Sequence, residues 1–282
     1  MFLGEPEYAK DIELLREARN RGIGEAPITD LSLTQVLPFE ITNVCNLSGE
    51  HCGLCPAGDP NRYGTLDTSR PITDDLIVDC VKQALTMGFR GELMWHYYSE
   101  PFLAWPRLRN LMQRIKNEWP AARFGCFTNG TSFPSDLSEL SIFDDLWVSN
   151  YAGLDWQAIL GSHVKRLRIP TGILDQRMTP MDYDEWRGCL RPFHEVIIDY
   201  YGNGHFCCGD WRGEERLGNV WNQGFKHVAS EYIRILNLVR QPTMPSDSPS
   251  VCRRCRIRCG RPNDAVPNVS HDAIQYVFGP QL

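Results

Sequence analysis

Residues 39–55, Phe-Glu-Ile-Thr-Asn-Val-Cys-Asn-Leu-Ser-Gly-Glu-His-Cys-Gly-Leu-Cys, constrain this chain more than any other stretch. A short apolar run with β-branched residues delivers Cys45 into a polar loop that brings back Cys52 and Cys55, with six and then two residues between them. Three soft thiolates within one loop suit a [4Fe–4S] cluster or a zinc ion and leave room for a fourth ligand that is not protein. For zinc, His51 beside Cys52 is the available fourth ligand, although a three-cysteine loop at a strand end differs from the paired knuckles of a zinc ribbon.

Eleven cysteines in 282 residues are many, and their spacing says more than their number. Seven fall in two sets, Cys45/Cys52/Cys55 and Cys189/Cys207/Cys252/Cys255. The N-terminus lacks a basic region followed by an apolar core, and nowhere do eighteen consecutive apolar residues occur, so the sequence reads as soluble and cytoplasmic, with no membrane partner. In a reducing compartment a disulfide framework explains the cysteines poorly and metal explains them better. The formal charge of −6, with Lys and Arg scattered among acids, provides no basic stripe for a nucleic-acid backbone.

Taken in order, residues 7–21 form one helical segment with a loose apolar stripe, stopped by Gly22 and Gly24. From Leu37 the pattern becomes strand, loop, helix, and repeats. Strand-like runs sit at 37–44, 92–98, 122–128, 144–149 and 164–169. Helical runs sit at about 73–87 and 104–118, with shorter candidates at 135–140, 155–160 and 181–188. This alternation predicts an α/β fold with βαβ units and a parallel sheet that curls into a full or partial barrel, its ligands gathered at the carboxyl ends of the strands. After about residue 186 the alternation stops. Residues 195–208 read as a β-hairpin around Gly202-Asn203-Gly204, followed by a helix at about 224–239, a Pro/Ser-rich loop and Cys252-Arg-Arg-Cys255. The expected division is an N-terminal arm, 1–35, a barrel, 36–186, and a small cysteine-bearing module with a tail, 187–282.

The stretches at the strand ends resemble the radical S-adenosylmethionine (SAM) enzymes over about residues 36–262. That family has three Cys after its first barrel strand, usually spaced by three and then two residues, and Leu54 stands where an aromatic is common. Tyr98-Ser99-Glu100-Pro101-Phe102-Leu103 stands where the family has a Gly-Gly-Glu-Pro or Gly-Glu-Pro-Leu motif, with the glycines replaced. Phe127-Thr128-Asn129-Gly130-Thr131 resembles its Thr-Asn-Gly segment, and Trp147-Val148-Ser149-Asn150 its fourth-strand segment. The resemblance implies a partial (β/α) barrel of five to six parallel strands. It also implies a cluster on Cys45, Cys52 and Cys55, and SAM held by Leu54, Ser99, Glu100, Asn129 and Ser149, with Glu100 on the ammonium. On the fifth strand, Lys165 and Arg166 face opposite ways and Arg168 shares the face of Arg166; Arg168 is the choice for the SAM carboxylate.

The second cysteine set resembles the auxiliary-cluster pattern of the SPASM/twitch branch of the same family, in its short twitch form. It implies one further [4Fe–4S] cluster on Cys189, Cys207, Cys252 and Cys255, or zinc if the set is a knuckle. Cys80, Cys126, Cys208 and Cys259 are then spare. Cys80 lies one helical turn from Ile77 and Ala84 and reads as core. Cys126, Cys208 and Cys259 are candidate hydrogen-atom donors.

The activity implied is generation of a 5′-deoxyadenosyl radical that abstracts hydrogen from a carbinol-type C–H, giving a ketone once the auxiliary cluster takes an electron. The alternatives are epimerisation with a Cys thiol returning hydrogen, radical modification of a peptide, and a non-enzymatic iron–sulfur or zinc binding module. A small hydroxylated substrate, such as an aminocyclitol, aminoglycoside or sugar-like compound, is expected, since only about 35 residues precede the barrel. A reductant such as flavodoxin or ferredoxin is expected too. His96 and Tyr98, two residues apart and so on one face of the second strand, are substrate-shell candidates, with Tyr97 opposite and Tyr201 and His205 flanking the hairpin turn.

Overall fold

A computed structural model describes residues 27–47, 57, 62–151, 153–168, 195–207, 210, 213–239 and 252. The expected helices at 7–21 and 181–188 lie outside the described residues. Five parallel strands form one sheet in the order β1 to β5: β1 (Val36–Pro38), β2 (Glu92–Met94), β3 (Arg123–Thr128), β4 (Asp145–Val148) and β5 (Leu167–Arg168). Sequential neighbours pairing in parallel require a crossover each time, and α1 (Asp74–Thr86) and α2 (Trp105–Glu118) make the first two. Segment 195–198 lies on the other side of β1, through parallel bridges Val36 to Glu195 and Phe39 to Ile198. The sheet is therefore a partial barrel whose sixth member is β6 (Ile197–Ile198), and β6 also pairs antiparallel with β7 (Gly204–His205) to open the hairpin.

The crossover helices follow from their sequences. Thr73 caps α1 by accepting the Leu76 amide, and Asp74 and Asp75 meet the positive end of the helix dipole. Ile77, Val78, Cys80, Val81 and Ala84 recur at helical spacing and form its buried face. In α2 the buried stripe is Trp105, Leu108, Leu111, Met112 and Ile115. The run at 135–140 proves to be a 3-10 segment, Leu137–Ile142, started by the Asp136 carboxylate. After α3 (Trp156–Leu160) and the hairpin come α4 (Val220–Gln223) and α5 (Phe225–Val239), and α5 packs on α1. Asn237 of α5 bonds both the amide and the carbonyl of Ile28, which ties the segment before β1 to the last helix.

Strand alternation sorts two faces. Leu37, Phe39, Leu93, Trp95, Phe124, Cys126, Leu146 and Val148 enter the core against the helices. The other face begins, at the amino ends of the strands, with a charged layer in which Arg166 pairs with Asp145 at 2.7 Å and Glu92 lies near Arg123 at 3.7 Å. A Cβ at Gly125 would collide with Met94 and crowd Glu92, so glycine is what lets these side chains fit inside. Nearer the carboxyl ends an aromatic layer follows: Phe127 stacks on Trp147 at 4.7 Å and meets His96 at 4.4 Å. No helix among the described residues is long and apolar enough to cross a membrane.

β2 stops at Met94, four residues short of the expected run, because the chain turns away to place Ser99 and Glu100 over the sheet. The alternation that set Tyr97 opposite Tyr98 therefore fails, and their rings lie 4.5 Å apart.

Burial, joined by the charge of Asp145, pushes the Glu92 carboxyl up to about 7, against the opposing pull of Arg123 and Arg166. A carboxyl raised in the folded state stabilises the fold below its unfolded value of 4.5 and loses that contribution as pH rises through about 7. Urea titrations between pH 4.5 and 8 are expected to show wild-type stability declining across this window by more than in Glu92→Gln. Equal slopes would refute the assignment.

Candidate functional site

Cys45 sits in the loop after β1, half-buried, and its sulfur receives the Asn129 side-chain amide at 3.8 Å. The same amide group donates to Asn46 at 2.9 Å, and Asn46 donates to the Thr131 hydroxyl at 2.6 Å. The loop carrying the first cysteine is thus fastened to the end of β3. Cys52, Leu54 and Cys55 lie outside the described residues.

Glu100 is 2 % exposed and belongs to the same constellation. One oxygen accepts the Thr128 hydroxyl at 2.7 Å and the Phe102 amide at 3.1 Å, and the other accepts the Asn129 amide at 2.7 Å. The bond to Phe102 is also why a 3-10 turn, Pro101–Ala104, begins there. Burial raises the Glu100 carboxyl above the ordinary range, and the donors of Asn129, Thr128 and Phe102 oppose that rise. A carboxylate offers about four lone-pair sites. Three are used by the protein, so one remains for a cation such as an ammonium. Beside it the Ser99 hydroxyl is buried with no hydrogen-bond partner among the described residues, a donor in search of an acceptor. A carboxylate with a spare position, joined through Asn129 to a cysteine sulfur, fits an amino-acid-like ligand lying against a metal-thiolate centre.

The remaining expected residues separate clearly. Ser149 is half-buried just past β4, its amide bonded to the Thr128 carbonyl at 2.8 Å. The backbone of Arg168 stands opposite Trp147. Arg166 is committed to Asp145 and Lys165 to Asp144, on opposite faces as alternation requires. Cys80 is core, as its spacing indicates. Cys126 is 0 % exposed, with its thiol directed at the carbonyls of Trp95 and Phe127, and burial pushes it well above the ordinary thiol range. That position is a packed core thiol rather than one facing a ligand. Cys207 and Cys252 are both buried, while Cys189, Cys208, Cys255 and Cys259 lie outside the described residues.

His205 is 0 % exposed and is engaged inside the hairpin. Its Nδ1 meets the Asp210 carbonyl at 2.8 Å and its Nε2 the Asp199 carboxylate at 3.1 Å. A backbone carbonyl and a carboxylate both accept, an arrangement that favours a proton on each ring nitrogen. Burial disfavours that charge, but the bond and charge of Asp199, with Asp210, lift the imidazole above its usual value overall. Asp199 also accepts the amides of Tyr201 and Asn203. This network shapes the turn and leaves His205 no role toward a ligand. Tyr201 is placed differently: its hydroxyl accepts Asn43, near Cys45, at 3.2 Å.

Sequence reasoning missed a buried ion pair between sheet and hairpin. Glu40, 0 % exposed, accepts one nitrogen of Arg62 at 2.6 and 2.7 Å, together with the amides of Tyr98 at 3.1 Å and Tyr200 at 3.4 Å. A lone carboxylate within the apolar run Leu37-Pro38-Phe39-Glu40-Ile41 was the readable signal. Arg62, in a loop without periodicity, offered none.

Glu100→Ala would strand three donors at once, and on the order of 3 kcal/mol of stability is expected to be lost in urea unfolding. A loss under about 1 kcal/mol would show that these bonds do not organise the strand ends.

A family profile described as SPASM, an iron-sulfur cluster-binding domain, matches residues 189–256. Among solved structures, BtrN in complex with AdoMet and 2-DOIA shares the fold at a TM-score of 0.58 with 17% identity, covering 79% of this chain and 92% of that one. BtrN in an open conformation matches at 0.56 and 18%, with the same coverage. None of the curated proteins matches the chain in sequence. An iron-sulfur cluster-binding domain of the SPASM kind thus follows a partial barrel whose fold BtrN shares.

Proposed function

We propose that the protein is a radical SAM oxidoreductase that converts a secondary alcohol of a small hydroxylated metabolite, of the aminocyclitol, aminoglycoside or sugar-like kind, to a ketone. The observation that carries this reading is the Glu100 carboxylate, which keeps one lone-pair position beyond its three protein donors and is joined through Asn129 to the sulfur of Cys45. A [4Fe–4S] cluster and SAM, once bound and reduced by one electron from an external donor, would supply hydrogen-atom abstraction at a carbinol carbon, and a second cluster would supply a one-electron acceptor.

This chain's residues supply the setting. Cys45, with Cys52 and Cys55, holds the first cluster, and Cys189, Cys207, Cys252 and Cys255 hold the second. Glu100 binds the SAM ammonium; Ser99, Asn129, Ser149, Leu54 and Arg168 complete its site. His96, on the aromatic layer with Phe127 and Trp147, and Tyr98 are the substrate-shell residues above the sheet. Rings and donors already held in place there orient a hydroxylated ring and keep bulk water out. BtrN, whose structure holds AdoMet together with 2-DOIA, supports a small polar substrate. The division into arm, barrel and twitch module at residues 36 and 187 is part of the same proposal, with 195–198 serving both sheet and hairpin. A cytoplasmic setting and a flavodoxin or ferredoxin reductant accompany it.

Anaerobic reconstitution is expected to load about eight irons per chain, and Cys45→Ala about four. With SAM and dithionite the wild type should release 5′-deoxyadenosine, and in the presence of an amino-polyol panel that includes 2-DOIA it should form a carbonyl product. Zinc without sulfide, or no 5′-deoxyadenosine from well-loaded protein, would sink the reading. Solvent deuterium on carbon with the oxidation level unchanged would replace oxidation by epimerisation.

A further inference from the structure

The guanidinium of Arg62 is buried beside Glu40 in a way that an ion pair alone does not require. Its side chain is 3 % exposed, and a single nitrogen, Nη2, serves both oxygens of Glu40. The other two nitrogens, Nε and Nη1, are buried and have no acceptor among the described residues. The rings of Tyr63, Tyr98 and Tyr97 surround the guanidinium carbon at 4.9, 5.5 and 5.7 Å. The Tyr63 hydroxyl is likewise buried without a partner among the described residues. Its ring meets Tyr201 edge-on at 4.8 Å, and Tyr201 is the residue bonded to Asn43 near Cys45. Three buried donors on two neighbouring residues, with no acceptor among the described residues, therefore lie beside Tyr201 of the hairpin.

Arginine cannot escape this burial by releasing a proton, so its N–H groups call for oxygen acceptors. The charge of the ligand is limited too. Glu40 already balances Arg62, and the Asp199 carboxylate lies near enough to the Tyr63 hydroxyl to add to the burial that raises its pKa. A second anion would face both carboxylates, and a cation would face Arg62. Neutral hydroxyl or carbonyl oxygens satisfy all three donors.

We propose that Arg62 and Tyr63 form the subsite that receives neutral hydroxyl or carbonyl oxygens of the substrate, with Glu40 as the positioning residue that orients Arg62. This assignment rests on the oxidoreductase reading and names how its substrate is held. Glu40 sets the position from two sides, because it is itself fixed by the backbone amides of Tyr98 at the end of the sheet and Tyr200 in the hairpin.

The test is calorimetric binding of scyllo-inositol and of 2-DOIA to the anaerobic, cluster-loaded, SAM-bound enzyme. The wild type should bind at least one. Tyr63→Phe, which leaves the ion pair intact, should weaken that binding about fivefold, and Arg62→Lys tenfold or more. Glu40→Gln should weaken it as well, and Glu40→Gln combined with Arg62→Lys should bind no worse than Arg62→Lys alone, a non-additivity in affinity that general loss of stability does not produce. Iron content and visible circular dichroism equal to wild type establish that each variant is folded. Wild-type affinity in both Tyr63→Phe and Arg62→Lys, or no binding of either probe by the wild type, overturns the subsite. Competition by inorganic phosphate as strong as the bound probe overturns the neutral-oxygen assignment. Release of 5′-deoxyadenosine by the wild type is read separately, so the radical reading and the subsite fail independently.

Discussion

A carboxylate buried away from water has to be matched by donors, and Glu40 gathers them from three places. Arg62 comes from the loop that follows the first cysteines, the Tyr98 amide from the turn beyond β2, and the Tyr200 amide from the hairpin. Removing one member of such a buried pair generally costs about 3–5 kcal/mol, because the partner is left charged and unmatched. Segments that the chain keeps far apart are thereby brought onto one carboxylate. The rings of Tyr63, Tyr97 and Tyr98 are tied to it in turn, since each lies against the guanidinium that Glu40 holds.

The barrel interior is graded along the strand direction. Charges that neutralise one another occupy the amino ends, where Arg166 meets Asp145 beside Glu92. Aromatic rings fill the middle, and at the carboxyl ends stand polar groups with spare bonding capacity, Ser99 and Glu100 and then Arg62 and Tyr63. A parallel sheet assigns this end to chemistry because every crossover returns the chain to the opposite one, leaving the loops after the strands free to vary. The grading explains why two buried carboxyls raised by the same physical cause differ in use. Glu92 is enclosed by charges below the aromatic layer, while Glu100 is held by three neutral donors above it.

Much of this was legible in the residues. Alternating strand and helix patterns located all five parallel strands, and the buried stripes of α1 and α2 were readable from their spacing. Glu100 and Asn129 were found as parts of short motifs, and the structure joins them through a bond from the Asn129 amide. Other features depend on tertiary contacts that a linear pattern does not carry. The end of β2 at Met94 is set by the turn that delivers Glu100, so residues that look like a continuous strand leave the sheet. Cys126 shares the side of β3 that holds Phe124, which buries its thiol in the core. His205 flanks a turn yet is consumed by Asp199 and Asp210, because a buried carboxylate nearby outweighs the exposure expected of a turn residue.

The placement of β6 bears on the order in which the molecule assembles. Its bridges join Val36 to Glu195 and Phe39 to Ile198, so the strand that begins the hairpin closes the sheet across nearly the whole length of the barrel. Contacts of such long sequence separation repay their loop-closure entropy late in folding. The neighbouring crossovers are local and can form as the chain emerges. The hairpin that carries Cys207 then has a template only after β1 has found its place beside β2.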